Sequence, residues 1–127
     1  MELQEHTSIN DSGKRISYGE NAAMREPTTG KGRFDLITPF ALDRLAHWYE
    51  LGAGKYTPRN WEKGIPWSRC LDSALRHLNK FQRGMTDEDH LAAAAWNIFA
   101  IIHYQELGMT EFNDIPDYNK EDNNETR

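Results

Sequence analysis

The sequence predicts an all-α protein: a three-helix core, completed into a helical bundle by further copies of the chain, between polar N- and C-terminal tails. Three observations carry this. Apolar residues recur at helical spacing in three stretches between Pro39 and Leu107. Helix-stopping glycines follow each stretch. Both ends of the chain are instead rich in Glu, Asn, Asp, Thr and Ser.

Residues 1–29 follow neither the helical nor the strand period, and Asn10-Asp11-Ser12-Gly13 and Pro27-Thr28-Thr29-Gly30 are turn or linker chemistry. This segment is assigned no structure and is expected to be mobile, as is the acidic tail 109–127. The domain is expected over 30–108.

The first helix signal is Thr38-Pro39, a capping hydroxyl followed by proline at the first helical position, where its missing N–H costs nothing. Ala41, Leu42, Leu45, Ala46 and Tyr49 follow on one face, and Gly52 or Gly54 can close the helix, which is expected over about 39–52. A loop over 55–64 follows, dense in Lys, Arg, Tyr and Trp.

The second helix should begin near Pro66 or Ser68. Cys70, Leu71, Ala74, Leu75, Leu78 and Phe81 share one arc of the wheel, and Gly84 ends it. Thr86 should cap the third helix, with Asp89 three residues on, and Gly108 follows its last apolar residue. Leu91, Ala95, Ile98 and Ile102 line one side of it, and Ala92, Trp96 and Phe99 another. Two partner helices cannot cover a helix that is apolar nearly all round. A homo-oligomer is expected.

Composition excludes several classes. No apolar run approaches the roughly 20 residues a bilayer requires. The single cysteine, Cys70, cannot form an intramolecular disulfide, and no basic-apolar leader opens the sequence, so a reducing cytoplasmic setting is expected. The formal charge of -5 resides in the ends: residues 30–108 carry ten basic and nine acidic side chains, and 109–127 carry two and six. A nearly neutral domain can hold a small anion locally but lacks the field of a duplex-binding protein.

Two groups of residues can carry chemistry. In the loop, Lys55 and Arg59 can grip phosphate, Asn60 can read a base edge or sugar hydroxyl, and Tyr56 or Trp61 can stack on a base. Equally, the aromatic rings can pin the loop to the core. Arg33, in the segment Arg33–Leu36, can fold over the same site.

On the third helix Asp87, His90 and Asn97 fall on one stripe, where Asp87 and His90 can chelate a cation and Asn97 can reach a ligand. The simpler account is that Asp87, Glu88 and Asp89 answer the helix dipole and His90 is a hydrogen-bonded core-edge residue. On the second helix, Arg76 pairs with Asp72 or meets phosphate, and His77 can reach into the helix interface.

Taken together, Arg33-Phe34-Asp35-Leu36, Gly52-Ala53-Gly54-Lys55-Tyr56, Asn60-Trp61-Glu62-Lys63-Gly64, Asp72 to Leu78, Asp87-Glu88-Asp89-His90 and Trp96-Asn97 resemble the phage family named for the dATP/dGTP diphosphohydrolase N-terminal domain. The resemblance implies a hydrolase that splits a purine deoxynucleoside triphosphate to monophosphate and pyrophosphate, in the manner of the all-α MazG-type enzymes. Those enzymes hold magnesium with Glu-x-x-Glu on one helix and Glu-x-x-Asp on another. Here the second pair falls on His90 and Ala93, and the second helix has no Glu-x-x-Glu.

Two readings follow. In the first, a phage or prophage nucleotide pyrophosphohydrolase uses His77, Asp87 and His90 catalytically, with Asp87 and His90 holding Mg2+ or Mn2+ and Arg33, Lys55, Tyr56, Arg59, Asn60, Trp61, Arg76 and Asn97 on the substrate. In the second, the same groove sequesters a nucleotide, for example a host-defence signal, without cleaving it.

Overall fold

A computed structural model describes residues 8–120 and divides the chain at Ile37 into two units. The outermost parts of the tails, 1–7 and 121–127, lie outside the described residues. In the first unit two short antiparallel strands, β1 (Ile16–Ser17) and β2 (Met24–Arg25), pair Ile16 with Arg25 and Ser17 with Met24. Sequence reasoning assigns no structure here because two-residue strands are too short to display a period. Arg15, paired with Asp11 and near Glu26, holds the polar strand ends together.

The second unit is the expected all-α core of three helices: α1 (Pro39–Lys55), α2 (Trp67–Gln82) and α3 (His90–Glu106). Pro39 opens α1 as expected, but the Thr38 side chain makes no capping bond. The helix also runs three residues past 52. Gly52 and Gly54 keep helical dihedrals, and the Tyr56 N–H closes the end on the Gly52 carbonyl.

The glycines after α2 and α3 behave as the sequence predicts. Gly84 (φ 80°) and Gly108 (φ 66°) are left-handed, and the following N–H groups of Met85 and Met109 reach back to the Lys80 and Tyr104 carbonyls. Both ends are six-to-one closures that satisfy otherwise orphaned carbonyls.

The start of α3 differs from expectation. Asp89, not Thr86, is the cap: its carboxylate accepts the Ala92 N–H and is gripped by the Arg44 guanidinium of α1. A carboxylate held by Arg and aimed at the helix N-terminus outcompetes a hydroxyl three residues earlier. Residues 86–89 therefore form a turn, and α3 has 17 residues rather than about 21.

Trp67 and Cys70 of α2 meet Ala100 and Tyr104 of α3 in the core, with Trp61, Ile65, Trp96, Ile101, Met109 and Phe112 packed against them. Ala92, Ala93 and Ala94 are also buried, and side chains this small let neighbouring backbones approach α3 closely. Ordered structure continues past residue 108 into the expected tail. Thr110–Phe112 is a 3-10 turn that delivers Phe112 to the core, and Asp114 accepts both the Ser68 N–H and the Ser68 hydroxyl at the start of α2.

One face stays open. Leu71, Leu75, Leu78 and Phe81 on α2 and Leu91, Ile98 and Ile102 on α3 are each between 38% and 57% exposed. Leu71, Leu75 and Leu78 on α2 and Leu91, Ile98 and Ile102 on α3 are rotated in the same sense, by roughly 50–150°, from the residues that face the other helix, and antiparallel packing puts both stripes on the same side. Phe81 falls on the facing arc of α2 and, with Leu91, borders the hollow beside His90.

Candidate functional site

A cleft of about 1280 Å³ is enclosed by α1, the loop over 56–61, α2, and the turn and first half of α3. Its wall is aromatic. Tyr49, Trp61 and Trp96 form a triangle with ring centroids 6.0–6.1 Å apart, and Trp48 stands edge-on to His77 at 6.1 Å. Trp61 plays both parts considered from the sequence. Its ring lines the cleft while packing on His103 at 4.7 Å, and its carbonyl accepts the Tyr104 hydroxyl at 2.6 Å.

At the other end lies a polar cluster. His77 Nδ1 is 2.9 Å from His90 Nδ1, and His90 Nε2 is 2.8 Å from Asp87 Oδ1. His77, Glu88 and His90 each offer a ligand atom within 4.8 Å of the others. Two imidazoles and a carboxylate are a competent donor set for a divalent metal ion. Burial holds the His77 imidazole below its ordinary range, against the pull of Glu88, which favours the uncharged ring that a metal requires. The hydrogen bond from His90 keeps the Asp87 carboxyl below the usual carboxylate range.

His77 and Glu88 face the large cleft. His90, its side chain only 1% exposed, stands behind them and lines a smaller hollow of about 210 Å³. Asp87 does not join the three: its carboxylate occupies the far nitrogen of His90, and Glu88 takes the third position. The α-helical stripe expected to unite Asp87 with His90 is absent, because α3 begins only at His90. The turn brings the pair together instead.

The cleft gathers Lys55, Tyr56, Arg59, Asn60, Trp61, Arg76, His77, Asp87 and Asn97, all named from the sequence. Arg33 belongs to the first unit, where it pairs with Asp35, and the cleft is built from the second unit alone. Arg59 is held by Glu62 at 2.7 Å and Arg76 by Asp72 at 3.2 Å, so neither guanidinium is uncommitted. Lys55 lies over the Tyr56 ring, and among the described residues neither it nor Lys80 has a carboxylate partner. Asn97 donates to the Ala93 carbonyl and to the Ser73 hydroxyl, so its side-chain oxygen is left as an acceptor.

Sequence reasoning missed Trp48, Tyr49, Ser73, Lys80 and Trp96 as cleft residues, and Glu88 as a cluster member. Lys80 carries a usable signal, standing three residues after His77 on the same helix.

Fold and site together define an all-α protein with a histidine–carboxylate cluster at one end of an aromatic cleft. Residues 21–114 match the family described as dATP/dGTP diphosphohydrolase, N-terminal, and the chain belongs to that family. Comparison with curated proteins and with solved structures gives no match. Among the described residues no helix is long and apolar enough to cross a membrane.

Proposed function

We propose that the cleft binds a purine deoxynucleoside triphosphate and hydrolyses it to the monophosphate and pyrophosphate. One observation carries this beyond the family name: a stacking wall, two lysines that form no salt bridge among the described residues, and the His77 and Glu88 members of a metal-competent cluster open on the same cleft. Tyr49, Trp61 and Trp96 suit a base, and Asn97 offers its oxygen to a base amine or a sugar hydroxyl. Lys55 and Lys80 suit the phosphates, and Asn60 stands at the rim on the loop.

The donors fit a divalent cation held by His77, Glu88 and His90. Imidazole nitrogens favour manganese over magnesium, which prefers oxygen ligands. Such an ion supplies positive charge to the phosphate oxygens and acidifies water. The hydrolysis adds water across the bridge between the α- and β-phosphates, and pyrophosphate leaves. Glu88, exposed at the cleft, would hold the cation through one carboxylate oxygen, and its other oxygen would be placed to accept a proton from the attacking water.

The protein would act on a phage or prophage nucleotide pool in the host cytoplasm, as the family resemblance suggests. The open face of Leu71, Leu75, Leu78, Phe81, Leu91, Ile98 and Ile102 supports assembly with a second copy, because seven half-open apolar side chains exceed what scattered surface residues explain. Leu71, Leu75, Leu78, Ile98 and Ile102 do not line the large cleft, and Phe81 and Leu91 border only the small hollow beside His90, so assembly through the former leaves the cleft accessible.

A second reading is favoured by the single carboxylate in the cluster, where MazG-type sites use four: the cleft binds and retains a nucleotide without cleaving it. One assay separates the two. Purified protein incubated with each dNTP and manganese or magnesium should release pyrophosphate, with dATP and dGTP the best substrates. Tight, metal-independent binding without product would replace hydrolysis by sequestration. Neither binding nor turnover would overturn both.

A further inference from the structure

Asp87 sits beside the cluster without joining it. Its Oδ1 lies 2.8 Å from His90 Nε2, while His90 Nδ1 lies 2.9 Å from His77 Nδ1. An ionised carboxylate has no hydrogen to give, so the proton in the first contact belongs to His90 Nε2. A neutral imidazole carries one N–H, and Nδ1 of His90 is then a bare lone pair. Across the 2.9 Å contact, His77 Nδ1 must be the donor.

Without Asp87 this order has no reason to hold. Either histidine can donate across the Nδ1–Nδ1 contact, and the two arrangements differ only in which ring gives the hydrogen. With Asp87 present, the reverse arrangement points a lone pair at a carboxylate. The His90 ring cannot escape by turning, since its side chain is 1% exposed and packed at the start of α3.

The surrounding turn holds Asp87 in place. Asp89 is fixed at once by Arg44 and by the Ala92 N–H, and the His90 N–H closes on the Glu88 carbonyl at 3.0 Å. Four consecutive residues thus supply a carboxylate for the far nitrogen, a cluster carboxylate, a helix cap and a cluster imidazole.

We propose that Asp87 is a positioning residue that fixes His90 as the Nε2–H tautomer and presents its bare Nδ1 toward His77 and Glu88, the form in which a divalent cation can be taken up. Its link to cation uptake rests on the reading of His77, Glu88 and His90 as a metal site; the tautomer assignment does not. Carboxylates hydrogen-bonded to the far nitrogen of a ligating histidine act in this way generally. Cation entry needs no proton lost from His90. Where His77 binds through Nδ1, its own proton moves from Nδ1 to Nε2; where it binds through Nε2, none moves.

Two measurements on the full chain test this. Long-range 15N–1H correlation spectra of the imidazoles, recorded without metal at about pH 8 where imidazole is neutral, should show His90 as Nε2–H in the wild type and mixed or inverted in Asp87→Ala. Titration with cobalt(II), followed by visible absorption, should show affinity reduced about 10- to 100-fold in Asp87→Ala. Asp87→Asn, whose amide oxygen still accepts, should fall between, and far-ultraviolet circular dichroism should not change. A wild-type His90 protonated at Nδ1, a tautomer unmoved by Asp87→Ala, or unchanged cobalt affinity in that variant overturns the proposal. If the wild type takes up no cobalt, the metal reading of the cluster fails, and the spectra alone decide the role of Asp87.

Discussion

The Tyr104 hydroxyl donates to the Trp61 carbonyl oxygen at 2.6 Å, tying the loop that carries one wall of the cleft to the buried end of α3. Tyr104 is fully buried, and that burial, above all, pushes its phenol from the ordinary 10.0 up to about 12. Between those values the unfolded chain has lost the proton and the native one keeps it. Native stability therefore falls as pH rises through this window, by about 1.4 kcal/mol per pH unit. Urea denaturation at successive alkaline pH values should show a slope of this sign, and Tyr104→Phe should reduce it, leaving the part contributed by Tyr49 and Cys70, which burial also raises. The same variant removes one of the two hydrogen bonds that the Trp61 carbonyl accepts, the Gly64 N–H remaining, and should cost about 0.5–1.5 kcal/mol at neutral pH.

Asp89 joins α1 to α3 through Arg44 and caps α3 through the Ala92 N–H. Asp89→Ala should cost about 1–2 kcal/mol, and Asp89→Asn less because the amide oxygen still caps. The Arg44 guanidinium, above all, holds the Asp89 carboxyl below its ordinary value of 3.8. Its contribution is therefore complete above that value and is lost as pH falls through the native one. Acid titration of the Asp89→Ala and wild-type proteins should bring their stabilities together at low pH.

Gly64 adopts φ 114°, and a β-carbon there would run into the Phe112 ring. Gly64→Ala should destabilise by several kcal/mol, through both an unfavourable backbone and the overlap. Combining it with Phe112→Ala should recover the overlap part only, so the double mutant should be less destabilised than the sum of the single changes. Thermal and chemical denaturation of all four proteins would measure that coupling.

The helices were legible because their signals are local. Gly84 and Gly108 mark two ends by the left-handed residue each closure needs, and Pro39 marks a start. The cap of α3 was not legible, since Asp89 prevails over Thr86 through Arg44, a partner 45 residues away. The site divides in the same way. Lys55–Trp61 could be recognised as a cluster within one loop, whereas Lys80 and Glu88 gain meaning only when α2 packs against the turn before α3. The pairing of Arg76 with Asp72 was legible from their i, i+4 spacing on one helix, and the structure makes it at 3.2 Å.

The open apolar stripe should behave as an interface. Leu75, 57% exposed on α2, and Ile98, 46% exposed on α3, lie near the middle of it. Replacing either with Asp should cost a monomer little and should disrupt association with a second copy, since an unpaired charge at a buried interface is strongly unfavourable. Sedimentation velocity should show an oligomer for the wild type and a monomer for Leu75→Asp and Ile98→Asp. A monomeric wild type would remove the second copy from the account.

Lys80 and Arg76 offer an internal comparison, because both are cations of α2 that line the cleft and, among the described residues, Arg76 forms a salt bridge and Lys80 does not. A charged hydrogen bond to phosphate is worth about 1.5–3 kcal/mol, so Lys80→Ala should weaken nucleotide triphosphate binding about 10-fold or more. Arg76→Ala should change it less than Lys80→Ala, since its guanidinium must first leave Asp72. Binding of the nucleoside, which lacks phosphates, should be the same in both variants. Calorimetry with the triphosphate and the nucleoside on the two variants distinguishes a phosphate-gripping Lys80 from a general loss of cleft structure: equal losses for both ligands would assign Lys80 to the scaffold rather than to the phosphates.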